Sequence, residues 1–214
     1  MKKQRIRIIF SKTKAMRYTG HLDLRRAWER TMRRAALPLG YSQGFSPHPL
    51  LNLAAPLPLG FTSTHEIGDF WMSEVCDLDE VFQALEKAAP PGIKIHHIEE
   101  IPEIHGDKLP NLVQSVQYTV TFPTEATGLA AQVAALEKQE HILRKRRKKE
   151  YDLRPLIEDI EVIDPTPKGE PRLRMQLSNL SGATGRPDEV VAALGYNPLQ
   201  CHICRTDIYI RREM

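Results

Sequence analysis

A chain of 214 residues accommodates one large domain or two of about 100 residues each. With 41% hydrophobic and 27% charged residues it has the composition of a globular protein, and no apolar run approaches the ~20 residues of a membrane span. The opening MKKQRIRIIF alternates charge with apolar residues and is too short for the core of a secretion signal, so a cytoplasmic location is expected.

The net charge of +3 hides a segregation of sign. Residues 1–34 hold twelve Lys or Arg against Asp23 and Glu29, whereas Glu66 to Asp107 hold eleven carboxylates against Lys87 and Lys94. A second basic block runs from Arg144 to Lys149. Such separation points to a positive surface for a polyanion and an acidic surface for a protein partner. Three cysteines, Cys76, Cys201 and Cys204, leave one over in any disulfide scheme, which fits a reducing compartment.

In chain order, Arg5–Lys12 alternates as a strand and His21–Ala36 has helical periodicity. In that helix Leu24, Trp28, Thr31 and Ala35 form the buried stripe, Thr19 is the expected N-cap, and Pro38 and Gly40 end the run. Tyr41–Leu59 reads as extended, His65–Met72 as a strand of period two, Leu78–Ala88 as a helix and Ile93–Ile98 as a strand. The second half repeats this order. It has a strand at Gln117–Phe122, a helix at Glu125–Lys138 after Thr124 and extended pieces between Ile142 and Ile163. A strand at Arg172–Ser178, a helix at Pro187–Leu194 and a strand at His202–Ile210 follow. The heptapeptides Asp79–Leu85 and Asp188–Leu194 agree at five of seven positions, each on the second helix of its half. The expected fold is therefore α+β, with two tandem ferredoxin-like (βαββαβ) halves over 1–105 and 115–214.

The helix face opposite its apolar stripe carries Arg25, Arg26, Arg30, Arg33 and Arg34, a like-charged row that a polyanion would stabilise and that is otherwise a solvated surface. Directly after it, Tyr41, Phe45 and His48 lie in a Gly- and Pro-punctuated stretch, with His48 held extended between Pro47 and Pro49. Cations beside stacking rings suit nucleic acid. His21, in the first turn, reads as a phosphate contact, an acid/base or a capping side chain, and Asp23 as a partner of the helix dipole. In the second block Arg144, Arg146 and Arg147 precede Tyr151 and Arg154, again basic residues interleaved with an aromatic. The pair Cys201 and Cys204 lacks the second pair that a structural zinc site needs, and a packed thiol accounts better for it. No metal or cofactor is expected.

The blocks Phe10-Ser11-Lys12, His21-Leu22-Asp23-Leu24, Tyr41 through Pro49 and Tyr151 through Ile157 resemble a bacterial family of radical-SAM-linked proteins. Thr19-Gly20 stands where many members have Ser before the His. The resemblance implies a partner that is a radical SAM protein. The chain lacks the Cys-x-x-x-Cys-x-x-Cys spacing with which such an enzyme holds its cluster. The expectation is thus an accessory protein that recognises RNA, a tRNA or rRNA, for a radical SAM enzyme, with Arg25, Arg26, Arg30, Arg33, Arg144, Arg146 and Arg147 on phosphates. Two alternatives stay open. One is a metal-independent endoribonuclease using His21 or His48, resembling in architecture the CRISPR repeat-processing enzymes. The other is a protein-only adaptor.

Overall fold

The computed structural model of the chain describes residues 2–146 and 149–211. It is a mixed α/β protein with five helices among the described residues. The chain divides into two compact units, Met1–Val113 with Ile210–Met214, and Gln114–Tyr209.

The first unit opens with β1 (Gln4–Lys12), α1 (His21–Arg34), β2 (Leu51–Leu53) and β3 (Thr62–Met72). It continues with α2 (Leu78–Ala88), β4 (Ile93–Ile101) and the short α3 (Leu109–Leu112). β1 pairs antiparallel with both β3 and β4, and β2 lies on the far side of β3, giving the order β2-β3-β1-β4. Alternation in β1 sends Ile6, Ile8 and Phe10 into the core with Leu24, Trp28 and Met32 of α1 and Val81 and Leu85 of α2. The rings of Phe10 and Trp28 meet edge to face at 4.8 Å, so truncating Trp28 would cost about 3–5 kcal/mol.

Three features of α1 and β3 differ from expectation. The residue at the N-cap of α1 is Gly20, not Thr19, and it offers no side-chain bond; the carbonyl of Gly20 accepts from the Leu24 N–H at 2.8 Å. The helix ends at Arg34, two residues short of the expected Ala36, because Ala36 turns left-handed (φ +52). There the Ala36 N–H donates to the Arg33 carbonyl and the Leu37 N–H to the Met32 carbonyl, satisfying the last turn with alanine where glycine is usual. β3 does not alternate between core and water, since Glu66 through Met72 are all buried.

The buried far face of β3 is ionic. Asp69 sits between Arg5 and Arg7, accepting from Arg5 Nη2 at 2.6 Å and Nε at 3.0 Å and from Arg7 Nε at 2.8 Å and Nη2 at 3.0 Å. Arg5 also donates to the carbonyls of Glu103 (2.9 Å) and Asp107 (3.1 Å), and the Trp71 indole N–H to that of Ile104 (2.8 Å). Segment 103–107 is therefore laced onto the sheet. At the other end, Gly92 (φ +101) turns the chain from α2 into β4, and its carbonyl accepts the Thr13 N–H at 2.9 Å. A Cβ at Gly92 would lie 2.6 Å from Met16 Cγ.

The second unit contains β5 (Val113–Thr121), α4 (Leu129–Glu137), the hairpin β6 (Leu143–Arg146) and β7 (Lys149–Asp152), and β8 (Ile157–Ile163). β9 (Arg172–Leu180), β10 (Ala183–Thr184), α5 (Pro187–Ala193) and β11 (His202–Ile210) follow. β9 pairs antiparallel with β5, β8 and β10, and β11 flanks β5, so the long strands run β8-β9-β5-β11. α4 starts four residues later than the expected Glu125 because Gly128 is left-handed (φ +78) at its N-cap. No described helix is long and apolar enough to cross a membrane.

Candidate nucleic-acid interface

Burying Leu24, Trp28, Thr31 and Met32 leaves Arg25, Arg26, Arg30, Arg33 and Arg34 exposed along α1. Arg25 pairs with Glu29 at 3.3 Å and Arg26 with Asp23 at 3.2 Å, surface contacts worth little in water. Neither Arg30 nor Arg33 has a charged partner among the described residues. His21 is half-buried in the first turn.

The loop after α1 is closed on itself. Tyr41 bridges to Pro49, the Ser42 N–H donates to the His48 carbonyl at 2.9 Å, and the His48 N–H donates to Ser42 Oγ at 3.0 Å. Gly44 (φ +126) allows the turn at its tip. Phe45 next to it is wholly in solvent and Tyr41 is 42% exposed. Phe45 thus belongs to no core, and it also projects from the loop instead of lining a groove with His48.

His48 opens instead into a cleft of about 440 Å³ whose wall includes Lys2, Arg25, Asn52, Trp71, His105 and Lys108. Of the sequence-derived candidates the cleft unites Arg25 and His48, and it adds Lys2, His105 and Lys108. No carboxylate lines it. Of the neighbouring acids, Asp107 pairs with Arg211 at 2.7 Å and Asp69, behind Trp71, with Arg5 and Arg7, while Glu29 pairs with Arg25 of the wall itself at 3.3 Å. Lys2 Nζ lies 4.7 Å from the centre of the Trp71 ring and Arg5 flanks the same ring at 5.5 Å. The clamp of Arg5 and Trp71 on segment 103–107 is what holds His105 and Lys108 at the wall. Nothing local in the sequence marks these two, which stand among acids in an irregular stretch.

The second basic block belongs to the other unit and is less available. Arg144, half-buried, gives its Nε to Glu189 at 2.8 Å. Tyr151, opposite it in the hairpin, is half-buried with its hydroxyl enclosed, and burial followed by the Glu189 charge raises its pKa. Arg154 is half-buried, its backbone N–H held by Asp152. Asp152 also accepts from the Ile142 N–H and from His141 Nδ1 at 2.7 Å, and the His141 bond is the main cause that lowers its pKa. The Tyr151–Arg154 motif thus clasps the base of the hairpin. Arg147 and the side chain of Arg146 lie outside the described residues.

The acidic stretch is also partly internal. Glu66 and Asp69 are buried, and Asp77 caps α2 by accepting from the N–H groups of Asp79 and Glu80 at 3.0 and 3.1 Å. Glu74, Glu80, Glu86, Glu99, Glu100 and Glu103 remain exposed. Cys201 is buried, and burial pushes its thiol pKa up to about 11.

Among solved structures, the chain is similar to one in a crystal structure of a Cbf5-Nop10-Gar1 complex, at 9% identity and a TM-score of 0.48. The likeness covers 94% of this chain and 48% of that one, so the chain spans about half the length of its structural neighbour. No curated protein matches. A family model matches residues 5–187, across both units, and the chain belongs to that family, described as an uncharacterised protein conserved in bacteria (DUF2344).

Proposed function

We propose that this protein binds RNA through its first unit, with Arg25, Arg26, Arg30 and Arg33 on phosphates and Phe45 and Tyr41 as stacking surfaces. The observation that carries this reading is the cleft in which Lys2, Arg25, His48, His105 and Lys108 converge without a carboxylate. Arg25 belongs both to the guanidinium row of α1 and to the wall of that cleft, so the two cationic surfaces share a residue. Exposed rings beside such a row are the combination that single-stranded or looped RNA uses. We read each unit as a ferredoxin-like half, because both place four strands, the short β2 of the first unit among them, in the order second, third, first, fourth. We infer from the family resemblance a cytoplasmic accessory role beside a radical SAM enzyme, whose contact surface would be the exposed carboxylates of α2 and β4. The test is a mobility shift with total cellular RNA, followed by cross-linking and sequencing of the bound species. Free RNA at low salt would reject the proposal.

A second reading, metal-independent cleavage of RNA, is favoured by one observation: His48 and His105 open on the same cationic cleft. One imidazole would take the proton of a 2′-hydroxyl as its oxygen attacks the adjacent phosphorus. The other would give a proton to the departing 5′-oxygen, leaving a 2′,3′-cyclic phosphate and a 5′-hydroxyl. Incubation with RNA in chelator separates the two. Cyclic-phosphate ends that vanish in both His48→Ala and His105→Ala would favour the nuclease, and intact RNA the accessory role.

A further inference from the structure

We propose that the cleft of the first unit is a pocket for a phosphate monoester, the terminal phosphate of an RNA strand; this rests on the RNA-binding reading above. An internal phosphodiester carries one negative charge, whereas a terminal monoester carries close to two at neutral pH and presents three acceptor oxygens. Lys2, Lys108 and Arg25, the last also paired with Glu29 at 3.3 Å, supply three cations to a cleft of about 440 Å³, and His48 and His105 add two further ring donors or acceptors. That concentration of one sign exceeds what a passing diester needs, and it matches a dianion.

The rest of the chain supports the distinction. Arg30 and Arg33 lie on α1 outside the cleft, where they suit the diesters of a strand leading into it. The larger cavity of the second unit, about 640 Å³, mixes Lys138 and Arg154 with Glu137, Glu140 and Asp152, and so concentrates neither sign. The wall is also built. Trp71 is 5% exposed, tied by its indole N–H to Ile104, and the residues beside His105 are held by the buried guanidinium of Arg5. The backbone that carries His105 and Lys108 is therefore in place before the ligand arrives, which lowers part of the ordering cost of binding.

Intrinsic fluorescence gives a direct readout, because Trp71 lines the cleft while the other tryptophan, Trp28, is buried against Phe10. One short single-stranded RNA would be titrated in three forms: 5′-phosphorylated, 3′-phosphorylated and with hydroxyls at both ends. Adenosine monophosphate and inorganic phosphate would be titrated alongside. The proposal expects one phosphorylated form to bind about tenfold more tightly than the dihydroxyl form and to shift Trp71 emission. Lys2→Ala with Lys108→Ala should erase that advantage by weakening the phosphorylated form more than the dihydroxyl form, with an unaltered melting temperature confirming the fold. Equal affinity for all three forms overturns the proposal and leaves RNA binding standing. Binding of the mononucleotide or phosphate without any RNA overturns the strand-end assignment, and no binding by any RNA rejects both readings.

Discussion

Replacing Asp69 by alanine removes the carboxylate that Arg5 and Arg7 share. Both cations are enclosed, Arg5 with no exposed surface and Arg7 with 8%, and the four contacts lie between 2.6 and 3.0 Å. Breaking a buried pair by deleting one partner typically costs about 3–5 kcal/mol, because the remaining charge keeps its desolvation penalty and loses its compensation. Two guanidiniums sharing one carboxylate place Asp69→Ala at the upper end of that range. Asp69→Asn keeps the volume and an acceptor but not the charge, so most of the loss should persist. Urea unfolding measures the difference: the midpoint should fall in both variants with little change in slope. The cleft should suffer as well, since Arg5 carries the 103–107 segment, and Trp71 emission should shift under native conditions. A loss below about 1 kcal/mol in both variants would refute the argument, showing that the triad is offset by desolvation and holds nothing in place.

Phe45→Ala should leave the melting temperature unchanged, because the ring is wholly exposed, and should weaken RNA binding by on the order of 1–3 kcal/mol. Unchanged affinity in a filter-binding assay would remove Phe45 from the interface. Replacing Arg30 and Arg33 together by alanine should flatten the dependence of log affinity on log salt by about 1.4–1.8. An unaltered slope would show that α1 does not meet phosphates. The Cys201 thiol, protonated far above neutral pH by burial, should resist iodoacetamide at pH 8 in the native protein and react only after unfolding. Alkylation of native Cys201 as fast as a free thiol would contradict its burial.

Elements whose signals are local were legible in the sequence. α2 runs from Leu78 to Ala88 as expected, because its stripe of Val81 and Leu85 and its stop at Pro90-Pro91-Gly92 all lie within a few residues. β11 likewise keeps the expected span His202–Ile210. The burial of Asp69 was not legible, since alternation along β3 assumes that a polar face meets water. Whether it does depends on Arg5, Arg7 and segment 103–107, all remote in sequence. The same reason divides the cleft. Arg25 and His48 announce themselves through a charged helix face and a Pro-flanked loop, whereas Lys2, His105 and Lys108 acquire meaning only when β1 and β3 bring three distant segments together.

The lack of a side chain at Gly92 has a consequence for how the arginine row is aimed. The turn Lys14–Met16, from which the chain climbs into α1, is seated on that bare backbone, with Met16 Cγ 2.6 Å from the point where a Cβ would fall. The entry to the helix thus rests on a contact beside the strand at the sheet's outer edge, in addition to the buried stripe of Leu24, Trp28 and Met32 that seats the helix itself. A substitution such as Gly92→Ala would act like a shim under a hinge. It would push Met16 and the turn that leads into α1 while leaving every guanidinium chemically intact, so its effect on binding would come through position and not through charge.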